Sequence, residues 1–155
     1  MHTLRPALKM RGVCETDLHE LHRLDNQVFK VTPYPYYVLR QLFDVYPDGI
    51  LVLDDGMSLQ GFACFATTAD RQSSWVLGLG VAPDRRGQGL GRRLMLEVLR
   101  RLRQAGVHEV RLSVEPANVA AVSLYRSLGF TPEPEVRRDY LGPDEDRLIM
   151  RLSLG

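Results

Sequence analysis

Apolar side chains recur at helical spacing in four stretches of the chain, and residues that start or stop helices bound each stretch. In the clearest stretch, one helical face carries Gly91, Leu94, Met95, Val98, Leu99 and Leu102. Gly106 follows at the place where a helix C-terminus favours glycine. In a second stretch Asn118 is placed to cap a helix that Gly129 ends, and its inward positions are Ala121, Leu124, Tyr125 and Leu128.

The other two predicted helices lie nearer the N-terminus. Thr16 is placed to cap a helix that runs to about Phe29, and the apolar positions of this helix are Leu18, Leu21, Leu24 and Val28. A shorter helix is predicted over residues 34–46, because Pro35 suits the first turn of a helix and Pro47 stops one.

Segments rich in apolar and β-branched residues predict seven strands. They lie at 2–8, twice within 49–70 on either side of the Asp55-Gly56 turn, and at 73–82, 108–114, 130–141 and 147–154. Gly78 and Gly80 interrupt the strand at 73–82, and glycine inside a strand often marks the close approach of another group. The order of elements is β, α, α, β, β, β, α, β, α, β, β, which predicts a mixed sheet with helices on its faces.

The composition is that of one compact domain over residues 1–155. The chain has 155 residues, of which 45% are apolar and 25% charged. This is enough apolar material for one hydrophobic core, whereas two domains would each be too small to fold readily. Its apolar runs are shorter than the roughly 20 residues of a membrane helix. The first ten residues lack the apolar centre of a secretory signal. We therefore expect a cytoplasmic protein without a membrane partner.

The sequence predicts neither a metal site nor a disulfide framework. Cys14 and Cys64 lie far apart and lack the spacing of zinc ligands. His19 and His22 lie one helical turn apart, but two ligands without a third carboxylate or cysteine do not make a site.

Positive charge is concentrated in one segment of a nearly neutral chain. The net charge is +1, yet residues 84–104 hold seven arginines against Asp84 and Glu97. Such a patch suits a phosphorylated ligand, a nucleic acid or simply the solvated face of a helix. A solvated helix face explains Arg100, Arg101 and Arg103 but not the arginines at 85–93. The near-neutral total charge argues against a nucleic-acid partner.

Three glycines alternate within "APDRRGQGLGRR", residues 82–93, where a predicted strand passes into a predicted helix. Free backbone N–H groups and the positive end of the helix dipole point outward at such a place, which makes it an anion site. Gly87, Gly89 and Gly91 leave room for phosphate oxygens, and the flanking arginines add charge-assisted hydrogen bonds. The segment lacks the Gly-Lys-Ser/Thr ending of a Walker A loop and the G-x-G-x-x-G spacing of a Rossmann fingerprint.

The spelling Arg86-x-x-Gly89-x-Gly91, after a strand ending in "VAP", resembles the acyl-CoA loop of the GCN5-related N-acetyltransferase (GNAT) family. Residues 110–130 are similar to a later strand and helix of that family, with Asn118, Tyr125 and "LGF" in matching places. The resemblance implies an α/β fold: a mixed, mostly antiparallel sheet of about seven strands with about four helices on its faces. It also implies acetyl-CoA as co-substrate and no metal.

The resemblance assigns the CoA-binding residues. The strand segment Leu79, Gly80 and Val81 is implied to splay from its neighbour, pair with pantetheine and offer an N–H to the thioester oxygen. The pyrophosphate is implied to rest on Arg86, Gly87, Gln88, Gly89, Leu90, Gly91 and Arg92. Asn118 is placed against the pantetheine arm or the substrate, a role compatible with that of an ordinary helix cap.

Two residues are candidates for proton transfer. Tyr125 is the candidate general acid, because a phenol with a pKa of about 10 can protonate a thiolate of similar basicity. Glu115 is a candidate base acting through water, since strand alternation places it on the face of Ser113. The chain resembles most the ribosomal-protein alanine acetyltransferases, which usually carry a glutamate at the place of Ser113. A plain surface carboxylate is an equal alternative for Glu115.

The substrate is predicted to be a primary amine that attacks the thioester directly. Candidate walls of its pocket are Tyr34, Tyr36, Tyr37 and Tyr140. The ending "RRDYLGPDEDRLIM" resembles the ribosomal-protein alanine acetyltransferases, which favours a protein or peptide N-terminus. A small amine such as a polyamine, amino acid or aminoglycoside is the first alternative, and a non-catalytic acyl-CoA-binding module is the second. The protein is expected to be a monomer or a homodimer.

Overall fold

The structure is a computed structural model that describes residues 7–29 and 33–155. The predicted order of elements is confirmed over these residues. The strands are β1 (Lys9–Gly12), β2 (Ile50–Asp54), β3 (Leu59–Thr67), β4 (Ser73–Val81), β5 (Glu109–Val114), β6 (Thr131–Pro132) and β7 (Leu148–Ser153). The helices are α1 (Leu18–Val28), α2 (Tyr36–Val45), α3 (Leu90–Gln104) and α4 (Val119–Ser127). No helix in the described ranges is both long and apolar enough to cross a membrane.

The strands form a mixed sheet in the order β1-β2-β3-β4-β5-β7-β6. Strand β2 pairs antiparallel with β1 and β3, and β7 pairs antiparallel with β5 and β6. Strands β4 and β5 are parallel, from Ser73 opposite Glu109 to Val76 opposite Leu112. Parallel neighbours need a crossover connection, which α3 supplies here. The expected α/β fold, a mostly antiparallel sheet of seven strands with four helices, is therefore confirmed.

The first of two compact units comprises Met1–Phe65 and Gly78–Val98. Strand β2 is buried from Ile50 to Leu53, so its residues face apolar side chains on both sides of the sheet. Other fully buried residues of this unit are Leu18, Leu21, Leu24, Phe62, Leu94 and Met95. The predicted hairpin is present, and Oδ1 of Asp55 accepts the N–H groups of Met57 and Ser58 at its turn.

The second unit comprises Ala66–Leu77 and Leu99–Gly155. Strand β5 alternates, because Val110, Leu112 and Val114 are buried while the residues between them are half-buried. Other buried residues of this unit are Tyr125, Phe130, Ile149 and Met150. A single domain over residues 1–155 stays a prediction.

Two expectations near the N-terminus were wrong at residues that the structure describes. The first strand was predicted at 2–8, but residues 2–6 lie outside the described residues, Ala7 and Leu8 are not in a strand, and β1 begins at Lys9. Ion pairs hold β1 in place, since Arg11 lies 2.7 Å from Asp17 and 3.1 Å from Asp54. Thr16 does not cap α1, because it lies inside a 3-10 turn, Glu15–Asp17, that precedes the helix.

The predicted strand over 130–141 is also wrong in length, because β6 contains only Thr131 and Pro132. Two residues of the following segment have left-handed backbone angles, Asp139 with φ 52° and Asp144 with φ 60°. Both residues form local hydrogen bonds: the N–H of Asp144 donates to Oδ1 of Asp139, and the N–H of Asp139 donates to Oδ1 of Asp146. Such local side-chain to backbone bonds replace a sheet ladder with turns.

Candidate active site

The segment between β4 and α3 has the backbone that its alternating glycines predicted. We call residues 86–92 the glycine loop. Gly87 and Gly89 have φ of 79° and 74°, and a Cβ atom at either position would meet no atom within 4 Å. Glycine is therefore required by backbone conformation and not by crowding at these two positions, and the space above the loop is open.

The glycine loop leads directly into the N-terminus of α3. The N–H of Arg93 donates to the carbonyl of Gly89 at 3.0 Å, the first helical bond of α3. The amides of Leu90, Gly91 and Arg92 therefore lie in the first turn, where a helix leaves its N–H groups without helical partners. Together with the helix dipole, these amides form a site suited to an anion.

The arginines around the glycine loop divide into two kinds. Arg85 is only 7% exposed, and its guanidinium lies 3.3 Å from Oε1 of Gln60 and 3.6 Å from Oδ2 of Asp55. It ties the start of the loop to the β2–β3 turn. Arg86 and Arg92 are exposed beside the loop, whereas Arg85 is buried and paired.

The glycines of β4 make room for aromatic rings. A Cβ atom at Gly80 would lie 2.7 Å from Cε1 of Phe62 and 3.0 Å from Cγ1 of Val28. At Gly78 the corresponding position lies 3.4 Å from Phe62 and 3.9 Å from the ring of Tyr34. The close approach that glycine predicted here is therefore made by the protein's own side chains.

Leu79, Gly80 and Val81 follow the part of β4 that pairs with β5. That parallel pairing ends at Val76 and Leu112. After the strand, the N–H of Ala82 donates to the carbonyl of Gln60 at 2.8 Å, so the chain stays bonded to the β3 side as it enters the loop. A strand end of this kind has backbone groups directed away from β3 that suit pairing with an extended ligand.

The tyrosines before and within α2 have different environments. Tyr34 is half-buried, and its burial raises the pKa of its phenol to about 12. Tyr36 stacks on His19 with ring centroids 4.5 Å apart and meets His22 edge-on. Tyr37 is 65% exposed. Of the predicted wall residues in this segment, Tyr34 therefore packs beside β4, whereas Tyr37 faces solvent.

Stacking against Tyr36 accounts for the two histidines of α1. Both His19 and His22 contact that ring, which is a packing role. Among residues 7–29 and 33–155, no group of three or more His, Cys, Asp or Glu side chains is placed to hold a metal ion.

In the second unit, the β5–α4 segment carries three of the predicted site residues. Asn118 caps α4 as predicted, because its Oδ1 accepts the N–H of Ala121 at 3.2 Å. Tyr125 is 8% exposed, and its ring packs against Phe130 with centroids 5.9 Å apart. Burial raises the pKa of Tyr125 to about 12, so the phenol keeps its proton at neutral pH.

Glu115 is not fixed on the face where the sequence placed it. Strand β5 ends at Val114, so the alternation of the strand does not carry Glu115 to the face of Ser113. Its carbonyl accepts the N–H of Asn118 at 2.9 Å, and its side chain is exposed. Ser113 is half-buried opposite Ile149 of β7. This arrangement fits a turn before α4 and leaves the carboxylate in solvent.

Tyr140 lies in the turn-rich segment between β6 and β7. It is 37% exposed, and the guanidinium of Arg137 lies 5.5 Å from the centre of its ring. Arg137 is itself paired with Glu133 at 2.9 Å. Arg137 therefore covers one face of the Tyr140 ring, and the rest of the ring is partly accessible to solvent.

Sequence reasoning missed two buried charged residues of the first unit, Arg85 and Asp25. A signal existed for Asp25, since its spacing from Leu18, Leu21 and Val28 puts a carboxylate on the apolar face of α1. Nothing in the pattern separates Arg85 from Arg86, because the partners of Arg85 come from a distant hairpin.

The chain has close relatives among curated acetyltransferases, over part of their length. It is 43% identical over 90 residues to the mycothiol acetyltransferase of Thermobispora bispora, covering 55% of this chain and 30% of that protein. It is 39% identical over 82 residues to the [ribosomal protein bS18]-alanine N-acetyltransferase of Escherichia coli K12, covering 51% of this chain and 55% of that one. The match thus spans between 30% and 55% of the length of these relatives.

Solved structures share the whole fold. The crystal structure of the ribosomal-protein-S18-alanine N-acetyltransferase from Escherichia coli has a TM-score of 0.82 at 25% identity, covering 96% of this chain and 95% of that chain. The structure of yncA from Salmonella typhimurium with its cofactor acetyl-CoA has a TM-score of 0.80 at 20% identity, covering 96% and 95%. The second likeness shows the fold alone.

The model of the acetyltransferase (GNAT) family matches residues 16–130, which include α1, the glycine loop and α4. That range is well over half of the chain. It contains both segments whose spelling resembles the family, at 82–93 and 110–130. The chain therefore belongs to the acetyltransferase (GNAT) family.

Proposed function

We propose that this chain is an acetyl-CoA-dependent N-acetyltransferase in which a primary amine attacks the thioester directly. The observation that carries the proposal is the glycine loop: two glycines with positive φ open onto free space at the N-terminus of α3, beside the exposed Arg86 and Arg92. Membership of the acetyltransferase family and the acetyl-CoA bound to one fold neighbour support acetyl-CoA as the ligand.

In this proposal, the pyrophosphate of CoA lies on the glycine loop from Arg86 to Arg92. Amide N–H groups and guanidinium groups both donate to phosphate oxygens there. Leu79, Gly80 and Val81 present backbone groups to pantetheine, and one N–H polarises the thioester carbonyl. Asn118 is assigned to the pantetheine or substrate side while it caps α4.

The transfer step forms one bond and breaks one. The lone pair of the amine attacks the thioester carbon, a C–N bond forms, and the C–S bond breaks with its electron pair on sulfur. Tyr125, which is protonated at neutral pH, gives its phenolic proton to the departing thiolate. The amine proton passes to water or through water to Glu115. The Tyr125 phenolate then takes up a proton from solvent, which restores the acid for the next turnover.

The proposed amine is a protein or peptide N-terminus. The Escherichia coli bS18-alanine N-acetyltransferase, which resembles this chain in sequence and in fold, supports this choice. An α-amine has a pKa of roughly 8, so it loses its proton more readily than a lysine side chain and needs only a weak base. The exposed Glu115 fits that modest requirement.

A small-molecule amine is the second candidate. The 43% identity to a mycothiol acetyltransferase over 90 residues favours it. Under this alternative the glycine loop and Tyr125 keep their roles, while Tyr34, Tyr37 and Tyr140 would enclose a compact ligand in place of a peptide.

Release of free thiol from acetyl-CoA tests both candidates. A panel would compare peptides with free N-terminal alanine, serine or glycine, the same peptides with blocked N-termini, and polyamines, amino acids and aminoglycosides. We expect release with free peptides and none with blocked ones. Release with small amines alone would select the second candidate. Binding of acetyl-CoA by calorimetry without release for any amine would make the chain a non-catalytic acyl-CoA-binding module.

A further inference from the structure

Asp25 is a carboxylic acid on the buried face of α1. It is 1% exposed, and Leu21 and Leu24 beside it are completely buried. Burial raises the pKa of Asp25, while the N–H of Tyr34 and the nearby His22 act in the opposite direction. A polar group buried among leucines is costly unless a partner satisfies it, so the partner of Asp25 indicates what the residue does.

Within the part of the chain that the structure describes, Asp25 is hydrogen-bonded to the backbone of Tyr34. The N–H of Tyr34 donates to Oδ2 of Asp25 with an N···O distance of 2.7 Å, which is short for a bond of this kind. Tyr34 immediately precedes Pro35, the N-cap of α2. A side chain of α1 therefore holds the chain at the point where α2 is about to begin.

The ring of Tyr34 reaches the end of β4. Its Cε2 atom lies 3.9 Å from the position that a Cβ atom on Gly78 would take. Glycine leaves the backbone bare there, so the ring lies over β4 just before Leu79, Gly80 and Val81. The bond from Asp25 to the Tyr34 backbone thus fixes an aromatic ring beside the proposed thioester strand.

We infer that Asp25 is a positioning residue for amine recognition: its carboxylate holds the Tyr34 backbone and thereby places the Tyr34 ring beside the thioester strand. The inference rests on the proposed function, since it assigns that ring to the amine side of the transfer site. If the carboxylate served stability alone, its removal would change the KM of acetyl-CoA and the KM of the amine equally.

Three variants separate these roles. Asp25→Ala removes the acceptor, Asp25→Asn keeps an oxygen acceptor without the charge, and Leu18→Ala removes a completely buried side chain elsewhere on α1 as the matched control. If Asp25→Ala does not fold, Asp25→Ser takes its place, because a serine hydroxyl is too short to reach the Tyr34 N–H. Each variant is measured for KM of the amine, KM of acetyl-CoA and hydrogen exchange at the Tyr34 amide.

For Asp25→Ala we expect the KM of the amine to rise about tenfold or more, while the KM of acetyl-CoA stays within about twofold. The Tyr34 amide should exchange slowly in the wild type and in Asp25→Asn and fast in Asp25→Ala, because only Asp25→Ala lacks the acceptor. Asp25→Asn retains the amine KM to within about threefold. Leu18→Ala lowers the melting temperature without splitting the two KM values.

Three results would overturn the inference. They are equal rises of both KM values in Asp25→Ala, an amine KM that stays unchanged while the Tyr34 amide loses protection, and a Tyr34 amide that already exchanges freely in the wild type. If the wild type acetylates no amine at all, the proposed function fails and amine recognition falls with it. Hydrogen exchange then still decides whether Asp25 holds Tyr34.

Discussion

The ring of Phe62 on β3 occupies the space that a side chain at Gly80 on β4 would need, with its Cε1 atom 2.7 Å from the position of a Cβ. Phe62 is 1% exposed, so the ring has little freedom to move away. The backbone of the proposed thioester strand therefore rests on an aromatic ring of the core.

Gly80→Ala is expected to lower the free energy of unfolding by about 1–3 kcal/mol, because the added methyl group overpacks Phe62 and Val28. Chemical denaturation measures this loss. Gly12→Ala is the control, since a Cβ atom at Gly12 meets nothing within 4 Å, and it should change stability little. Phe62→Leu should relieve part of the clash, so a double variant less stable than the sum of the single effects would contradict the contact.

Gly89→Ala and Gly106→Ala form a matched pair. Their φ angles are 74° and 78°, and neither has an atom within 4 Å of a new Cβ. Both should lose about 1 kcal/mol of stability through backbone strain. Only Gly89→Ala should weaken acetyl-CoA binding in calorimetry, by about tenfold or more, because only Gly89 lies in the glycine loop. Equal affinities of the two variants for acetyl-CoA would show that the glycine loop is not part of the binding site.

Arg85 and Arg86 are sequence neighbours with opposite expected effects. Arg85→Ala should lower the free energy of unfolding by about 1–3 kcal/mol, because it removes a buried side chain together with its hydrogen bond to Gln60 and its ion pair with Asp55. Arg86→Ala, at an exposed position, should leave stability within about 0.5 kcal/mol and weaken acetyl-CoA binding. Thermal melting and calorimetry on both variants check the pair, and a stable Arg85→Ala with weakened binding would reverse the assignment.

Tyr125→Phe should reduce kcat by about 100-fold or more while the affinity for acetyl-CoA is retained, since only the proton for the thiolate is lost. The ring contact with Phe130 is kept, so the fold should not suffer. Steady-state kinetics with calorimetry give both numbers. A Tyr125→Phe variant with full kcat would exclude the phenol as the acid.

The protein should lose stability at alkaline pH. Burial raises the pKa values of Tyr34, Cys64 and Tyr125 to about 12 from ordinary values of 10.0, 9.0 and 10.0. Each raised pKa contributes stability that is complete below the ordinary value and is lost as pH rises toward the folded value. The melting temperature should therefore fall from about pH 9 upward, and less steeply in Tyr125→Phe between about pH 10 and about pH 12. Identical slopes would show that Tyr125 titrates normally.

Short-range patterns predicted most of the fold. The order of strands and helices, the Asn118 cap, the hairpin at Asp55-Gly56 and the glycine loop were all readable, because each depends on residues within a few positions of one another. The errors also have local causes. Turns closed by Asp139 and Asp146 replaced the predicted strand, and a 3-10 turn displaced the cap from Thr16.

The sequence by itself determined the order of the elements, the turn that the alternating glycines make before α3 and the family resemblance, since these depend on short-range spacing. Only the tertiary structure decided that Arg85 is buried against Gln60 and Asp55 while Arg86 is exposed. Only the tertiary structure showed that the ring of Phe62 occupies the space that a side chain at Gly80 would need. Only the structure joined Asp25 to Tyr34. These relationships depend on which distant segments pack together. Whether a charged residue is buried, and whether a glycine has room for a side chain, is decided only by that packing.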